Sequence, residues 1–353
     1  MKWVTLLQHR NRAPGVLCLL MGLAALQVRC GSPEGPPLPY GSESTAAGDG
    51  DDEAAPGGLS SVGGGVGEGG LGGNPEGWGG QLNEPNPPLS CPKYAMAEAR
   101  TRPAGTLAEA SGLVASRLVP ERLWTHNDSG DSARLFALDV QGELEAIIHL
   151  DIDYPTDWED IASFRDEQGT PFLLIADTGD NALSRADVSF VVVPEPLDLD
   201  QEGKYPAQVM SLTYPDGPHN AEALFVDEIS GRAYVLTKDS PAQLYSFSLT
   251  QPEAVLHNDG VIEAEWAKTL MPRGAAMRAE YPWIVLRGAE QTLVFVVKPG
   301  QSVVEALHGP SCPVMLADEV QGEAITLDGE GNLYSIGEAV SPLEFYALLR
   351  SDL

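Results

Sequence analysis

The chain reads as an all-β protein, a single β-propeller best matched by five blades. Three observations lead there. A short apolar strand with a carboxylate or glycine in its first two positions recurs at 111–115, 158–162, 221–225, 274–277 and 322–326. Each is followed by a second apolar strand ending on a polar or charged residue, at 123–127, 173–177, 233–238, 283–287 and 333–338. The repeat length is roughly 50 residues, in units of four strands separated by turn residues, which is the mark of blades around one axis.

Residues 1–29 stand outside the fold. Lys2, Arg10 and Arg12 precede the apolar run 16–26, too short to span a bilayer and headed by the basic charge of a secretory signal. Cys30 follows, then Gly31-Ser32, an arrangement similar to a bacterial lipoprotein processing site, where the cysteine carries the lipid. Gln27-Val28-Arg29 departs from the small residues such a site takes, so ordinary cleavage to a free secreted protein stays open. Residues 30–90 hold long stretches of Gly, Pro and Ser with nine acidic residues and no Lys or Arg. A segment so poor in apolar residues cannot offset its ordering entropy, and it is expected to be a disordered spacer.

The propeller domain is placed at 91–353. The first blade adds strands at 134–138 and 144–148, the second at 188–193 and 209–213, the third at 244–249 and 264–267, the fourth at 292–297 and 303–307. The fifth supplies three, at 323–327, 333–336 and 343–348, before the chain stops at Leu353. A missing outer strand leaves an unpaired edge, so the segment 95–107 is expected to fill it and close the ring. Six blades remain the rival, because 182–220 is longer than one blade needs. Cys18 leaves with the signal and Cys30 has its own fate, so Cys91 and Cys312 are left to form a disulfide in an oxidising compartment. Two cysteines with only His308 nearby do not make a structural zinc site.

With 21 basic and 51 acidic residues the chain carries a formal charge of −30; losing the four basic residues of the signal makes it −34. Such a polyanion repels nucleic acid and anionic lipid heads, leaving a lipid anchor as the only route to a membrane. It favours cations or basic partners, and acidity also serves solubility. A monomer is expected, with a protein or small-molecule ligand as partner.

The innermost strand of a propeller blade begins on the face where the second strand ends. Glu159, Glu222 and Glu323 therefore gather with Asn127, Asp177, Lys238, Arg287 and Glu338 around one mouth, with Asp128, Asp180 and Asn181 in adjoining loops. Hard oxygen donors on one axis suit Ca²⁺ or Mg²⁺; the candidate ligands are Glu159, Glu222, Glu323, Asn127, Asp128 and Asp177. The alternative is that Lys238 and Arg287 neutralise the glutamates, since unpaired buried carboxylates are costly.

Other chemistries find little support. The loops at 126–131 and 176–181 lack the twelve-residue calcium pattern with its terminal Glu, and Asx turns explain them equally well. Asp177-Thr178-Gly179 has no second copy to form an aspartic-protease pair. There is no Gly-x-Ser-x-Gly elbow, and no phosphate or dinucleotide loop.

The motifs at 123–131, 157–162, 177–181, 221–224 and 322–325 resemble those of a group of secreted bacterial β-propeller proteins known mainly from sequence. More distantly the chain looks like the calcium-dependent lactonase and phytase-like propellers, whose metals sit on Glu, Asp and Asn. The resemblance implies the fold and a metal, and it matches no catalytic residue one to one. Two functions follow as expectations: a surface binding or scaffold module, or a metal-dependent hydrolase of a small ester, lactone or phosphate. The hydrolase would need a general base such as Asp177 or Glu338 beside the metal.

Overall fold

Side-chain alternation decides the architecture. Along the strand Arg232–Thr237, Ala233 and Val235 enter one apolar cluster while Tyr234 and Leu236 enter another. A strand whose two faces are both buried must lie between two layers. The inner strands follow the same rule while the outermost ones are largely exposed, and the chain builds five apolar clusters, one between each pair of neighbouring blades.

A computed structural model describes residues 90–102, 107–153, 155–319, 321–338 and 341–350. The signal segment, Cys30 and all of the linker except Ser90 lie outside the described residues. Twenty strands among them form five four-stranded antiparallel sheets. After β1 (Glu98–Arg100), blade 1 contains β2 (Ala110–Ala115), β3 (Arg122–Asn127), β4 (Arg134–Asp139) and β5 (Leu144–His149). Blade 2 contains β6 (Trp158–Arg165), β7 (Pro171–Asp177), β8 (Val188–Pro194) and β9 (Gln208–Leu212). Blade 3 contains β10 (Ala221–Asp227), β11 (Arg232–Thr237), β12 (Gln243–Ser248) and β13 (His257–Val261). Blade 4 contains β14 (Gly274–Met277), β15 (Trp283–Arg287), β16 (Thr292–Val296) and β17 (Ser311–Val314). Blade 5 contains β18 (Gly322–Leu327), β19 (Leu333–Gly337) and β20 (Leu343–Tyr346), and its outer strand is β1.

The N-terminal strand therefore closes the ring, Glu98 opposite Phe345 and Arg100 opposite Leu343. The Cys91–Cys312 disulfide, with 5.7 Å between Cα atoms, ties the segment entering β1 to β17 of the neighbouring blade. Each innermost strand packs on the next, and β18 on β2 completes the circle. The long stretch after Ala182 is not a sixth blade. Its extra residues fold back so that Tyr205 bridges Leu150, donating its N–H to the His149 carbonyl at 2.7 Å.

Two outer strands differ from the sequence expectation. Residues 264–267 fall on a 3-10 turn (Glu265–Lys268), and 303–307 form a short helix, α1 (Val303–Leu307). Ser302 and Glu305 make a reciprocal capping box at α1, so the apolar spacing of Val303, Ala306 and Leu307 is helical. Both segments plug the core between blades 3 and 4, where the Trp266 Nε1 proton is donated to the Leu307 carbonyl at 2.8 Å. The actual outer strands, β13 and β17, carry polar and proline residues suited to an exposed edge.

Candidate metal centre at the axial mouth

The glutamates reach the mouth because the strands that carry them are bulged. Pairing of the first with the second strand slips between Ala110 and Gly112, Trp158 and Asp160, Ala221 and Ala223, and Gly322 and Ala324. The extra residues are Ser111, Glu159, Glu222 and Glu323. A bulge re-aims the side chain of its extra residue, and here it delivers one buried polar group from each of four blades. Blade 4 is regular, with Gly274 paired directly to Arg287. Ser111 is the uncharged member and donates its hydroxyl to the Glu159 carbonyl at 2.6 Å.

Next to the Glu159 bulge, Asp160 points the other way and is fully buried. Its carboxylate accepts the backbone N–H groups of Ile161 at 2.8 Å, Leu224 at 2.8 Å and Ala275 at 3.0 Å, stitching blades 2, 3 and 4 at the axis. Burial pushes its pKa well up, and those three donors oppose the shift.

Three carboxylates stand closest together. One oxygen each from Asp128, Asp157 and Glu159 lies within 4.8 Å of the others. Asp128 follows β3, while Asp157 and Glu159 flank Trp158 at the start of β6. Gly179 makes the approach possible: a Cβ there would stand 2.1 Å from Glu159 Oε1 and 2.3 Å from Asp157 Oδ2. The charges feel one another. Burial, then the charges of Glu222, Asp128, Asp157 and Glu323, pushes Glu159 up to about 10. Burial also raises Asp128 to about 6, with Asp157 and Glu338 adding to it, and raises Asp157 against the hydrogen bond it shares with Asp128 and the pull of Arg185.

The other two glutamates have bases. Lys238 Nζ donates to Glu222 at 2.6 Å, and Asn220 Nδ2 donates to the same oxygen at 3.0 Å. Burial raises Glu222, and Lys238 opposes that rise. Glu323 is raised to about 7 by burial and by Glu222 and Glu338, while Arg273, 3.4 Å away, lowers it. Glu338 accepts a hydrogen bond from Gln321 Nε2 at the rim.

Of the residues named from sequence, Asn127 and Asp177 commit their polar atoms to loops. Asn127 Oδ1 accepts the Glu109 N–H at 3.2 Å and its amide donates to Asp131 at 2.7 Å. Asp177 accepts the N–H groups of Thr156 at 2.9 Å and Asp157 at 3.0 Å and pairs with Arg185 at 2.9 Å, holding the loop that presents Asp157. Arg287 faces Glu319, at 2.9 Å, rather than a bulge glutamate. Sequence reasoning passed over Asp157 and Arg273 because each stands just before its strand, outside the repeat position. A carboxylate two residues ahead of the bulged Glu was the available signal for Asp157.

Ion pairs join Glu222 to Lys238 and Glu323 to Arg273, and among the described residues none reaches Asp128, Asp157 or Glu159. Three crowded carboxylates are a hard-oxygen donor set that fits Ca²⁺ or Mg²⁺.

No family model and no curated relative matches the sequence. Among solved structures, the chain is similar to the PQQ-bound aldose sugar dehydrogenase of Streptomyces coelicolor, at 11% identity over 74% of this chain and 100% of that one, TM-score 0.45. A Xanthomonas campestris gluconolactonase is 12% identical over 71% of this chain and 88% of that one, TM-score 0.38. A Bacteroides thetaiotaomicron protein of unknown function is 11% identical over 69% and 60%, TM-score 0.40. At these values none of their chemistry transfers.

Proposed function

We propose that this chain is an exported, surface-tethered propeller that serves as a binding module, with Ca²⁺ or Mg²⁺ held in its mouth by Asp128, Asp157 and Glu159. The observation that carries the reading is the trio itself, three carboxylates within 4.8 Å and no ion pair to any of them among the described residues. Ionising all three so close together in a partly dry site is costly, and without a cation that cost keeps Glu159 protonated. A divalent cation answers that charge where Lys238 and Arg273 are already engaged. Glu222 and Glu323 then form an outer ring of neutralised charge. Export rests on the basic-then-apolar N-terminus, and tethering on Cys30.

The hydrolase alternative keeps one supporting observation. The Asp128 carboxyl, raised to about 6, titrates where a general base works. It must stay off the metal to play that part, whereas a binding module asks only for the metal. Asp177, the base suggested by its repeat position, is already engaged with two backbone amides and Arg185.

Calorimetric titration of Ca²⁺ and Mg²⁺ into chelator-treated protein tests the reading. One cation should bind per chain, and Asp157→Asn and Gly179→Ala should each weaken it by tenfold or more, about 1.4 kcal/mol. Full affinity in both variants, or no binding by the wild type, sinks the proposal.

A further inference from the structure

Arg287 is left without a role at the mouth. Its side chain is 4% exposed and its partner Glu319 is fully buried. Ser335 donates its hydroxyl to Glu319 at 2.5 Å. A buried ion pair recovers its desolvation cost only when further hydrogen bonds complete both groups. Completion stops short here, since Arg287 Nε is buried with no partner among the described residues.

The pair lines a cleft of about 490 Å³. Its walls are the turn after β15, Gly288 to Gln291, and the segment from Val314 to Glu319 that leads towards β18. It opens on the same face as the mouth, because β15 ends there and β18 begins there.

We propose that this cleft binds a small uncharged polyol. Its volume is within the range of small-molecule sites. Arg287 is balanced by Glu319, and Glu290 and Asp318 add negative charge, so an anionic ligand meets repulsion. The exposed Glu290 and Asp318 carboxylates and the Gln291 amide oxygen accept hydroxyl protons, while the Arg287 guanidinium and the Gln291 amide donate to hydroxyl oxygens; Glu319 stays buried behind Arg287. No aromatic side chain is among the lining residues, so a flat ring has nothing to stack on. Dense, mixed donors and acceptors without a stacking face match a chain of hydroxyl groups.

Sorbitol and ribitol are the probes, followed by saturation-transfer NMR with the whole chelated protein, so that the outcome does not depend on the cation site. Transfer to the sugar alcohols is expected. Ala289→Trp places a large group at the exposed rim and should weaken it tenfold or more with the melting temperature unchanged; Arg287→Gln should weaken it likewise. Absence of transfer up to about 100 mM probe, or equal transfer in Ala289→Trp, overturns the assignment.

Discussion

Neutralising Glu159 should stabilise the metal-free protein, an unusual outcome for a buried polar residue. The sign follows from its titration. A carboxyl raised from 4.5 to about 10 keeps its proton in the native state after the unfolded chain has lost it. Folding stability is therefore full below the ordinary value and falls as pH rises, until the folded group ionises as well. At about pH 7.5, three units above the ordinary value, the loss is about 4 kcal/mol at 1.36 kcal/mol per unit. That figure is an upper one, since water drawn into the mouth screens the charge. Asp128, at about 6, and Glu323, at about 7, push in the same direction over the lower part of the range.

Glu159→Gln keeps the shape and removes the charge. With roughly 2–4 °C per kcal/mol for a domain of this size, the chelated variant should melt about 8–16 °C above the chelated wild type at about pH 7.5. The gap should close towards about pH 4.5, where both carry a neutral group. Calcium should restore the wild type, adding about 2.7 kcal/mol at a hundredfold excess over its dissociation constant, and should leave the variant unmoved. Melting curves by circular dichroism across the pH range, with chelator and with Ca²⁺, decide it. A chelated wild type whose melting temperature is level from about pH 5 to about pH 8.5, or a variant that melts lower, refutes the reasoning.

Three further outcomes follow from other parts of the fold. Asp160→Ala strands three backbone N–H groups from three blades, and urea unfolding should show a loss of about 3 kcal/mol or more without any change in the spacing of Cys91 and Cys312. Reduction of the Cys91–Cys312 bridge should cost roughly 2–4 kcal/mol; two free thiols in protein purified without reductant would contradict the bridge. The proposed lipid anchor at Cys30 requires that Cys30→Ser shift the protein from the membrane fraction to the soluble fraction, and unchanged partitioning overturns that proposal.

The repeat was legible because it is written in apolar runs. Strands such as β7 and β15 are buried on both faces, so their sequences are nearly continuous apolar blocks that need no long-range knowledge to find. Outer strands hid for the opposite reason: β13 reads His-Asn-Asp-Gly-Val, a polar edge whose pairing with β12 comes from the sheet and not from its own propensity. The apolar segments around Trp266 and Val303 drew the strand assignments instead, although they cover the same core as local helical turns. The mouth divides in the same way. A repeat position brought Glu159, Glu222 and Glu323 into one set, but it treats them as equivalent. What separates them is the neighbour each one meets: Lys238 and Arg273 reach Glu222 and Glu323, while Glu159 meets Asp157 and Asp128 across a glycine. Blade symmetry thus places the charges, and the departures from it, one bulge that carries Ser111 and one blade without a bulge, leave the acidic trio to one side of the axis where a single cation could be held.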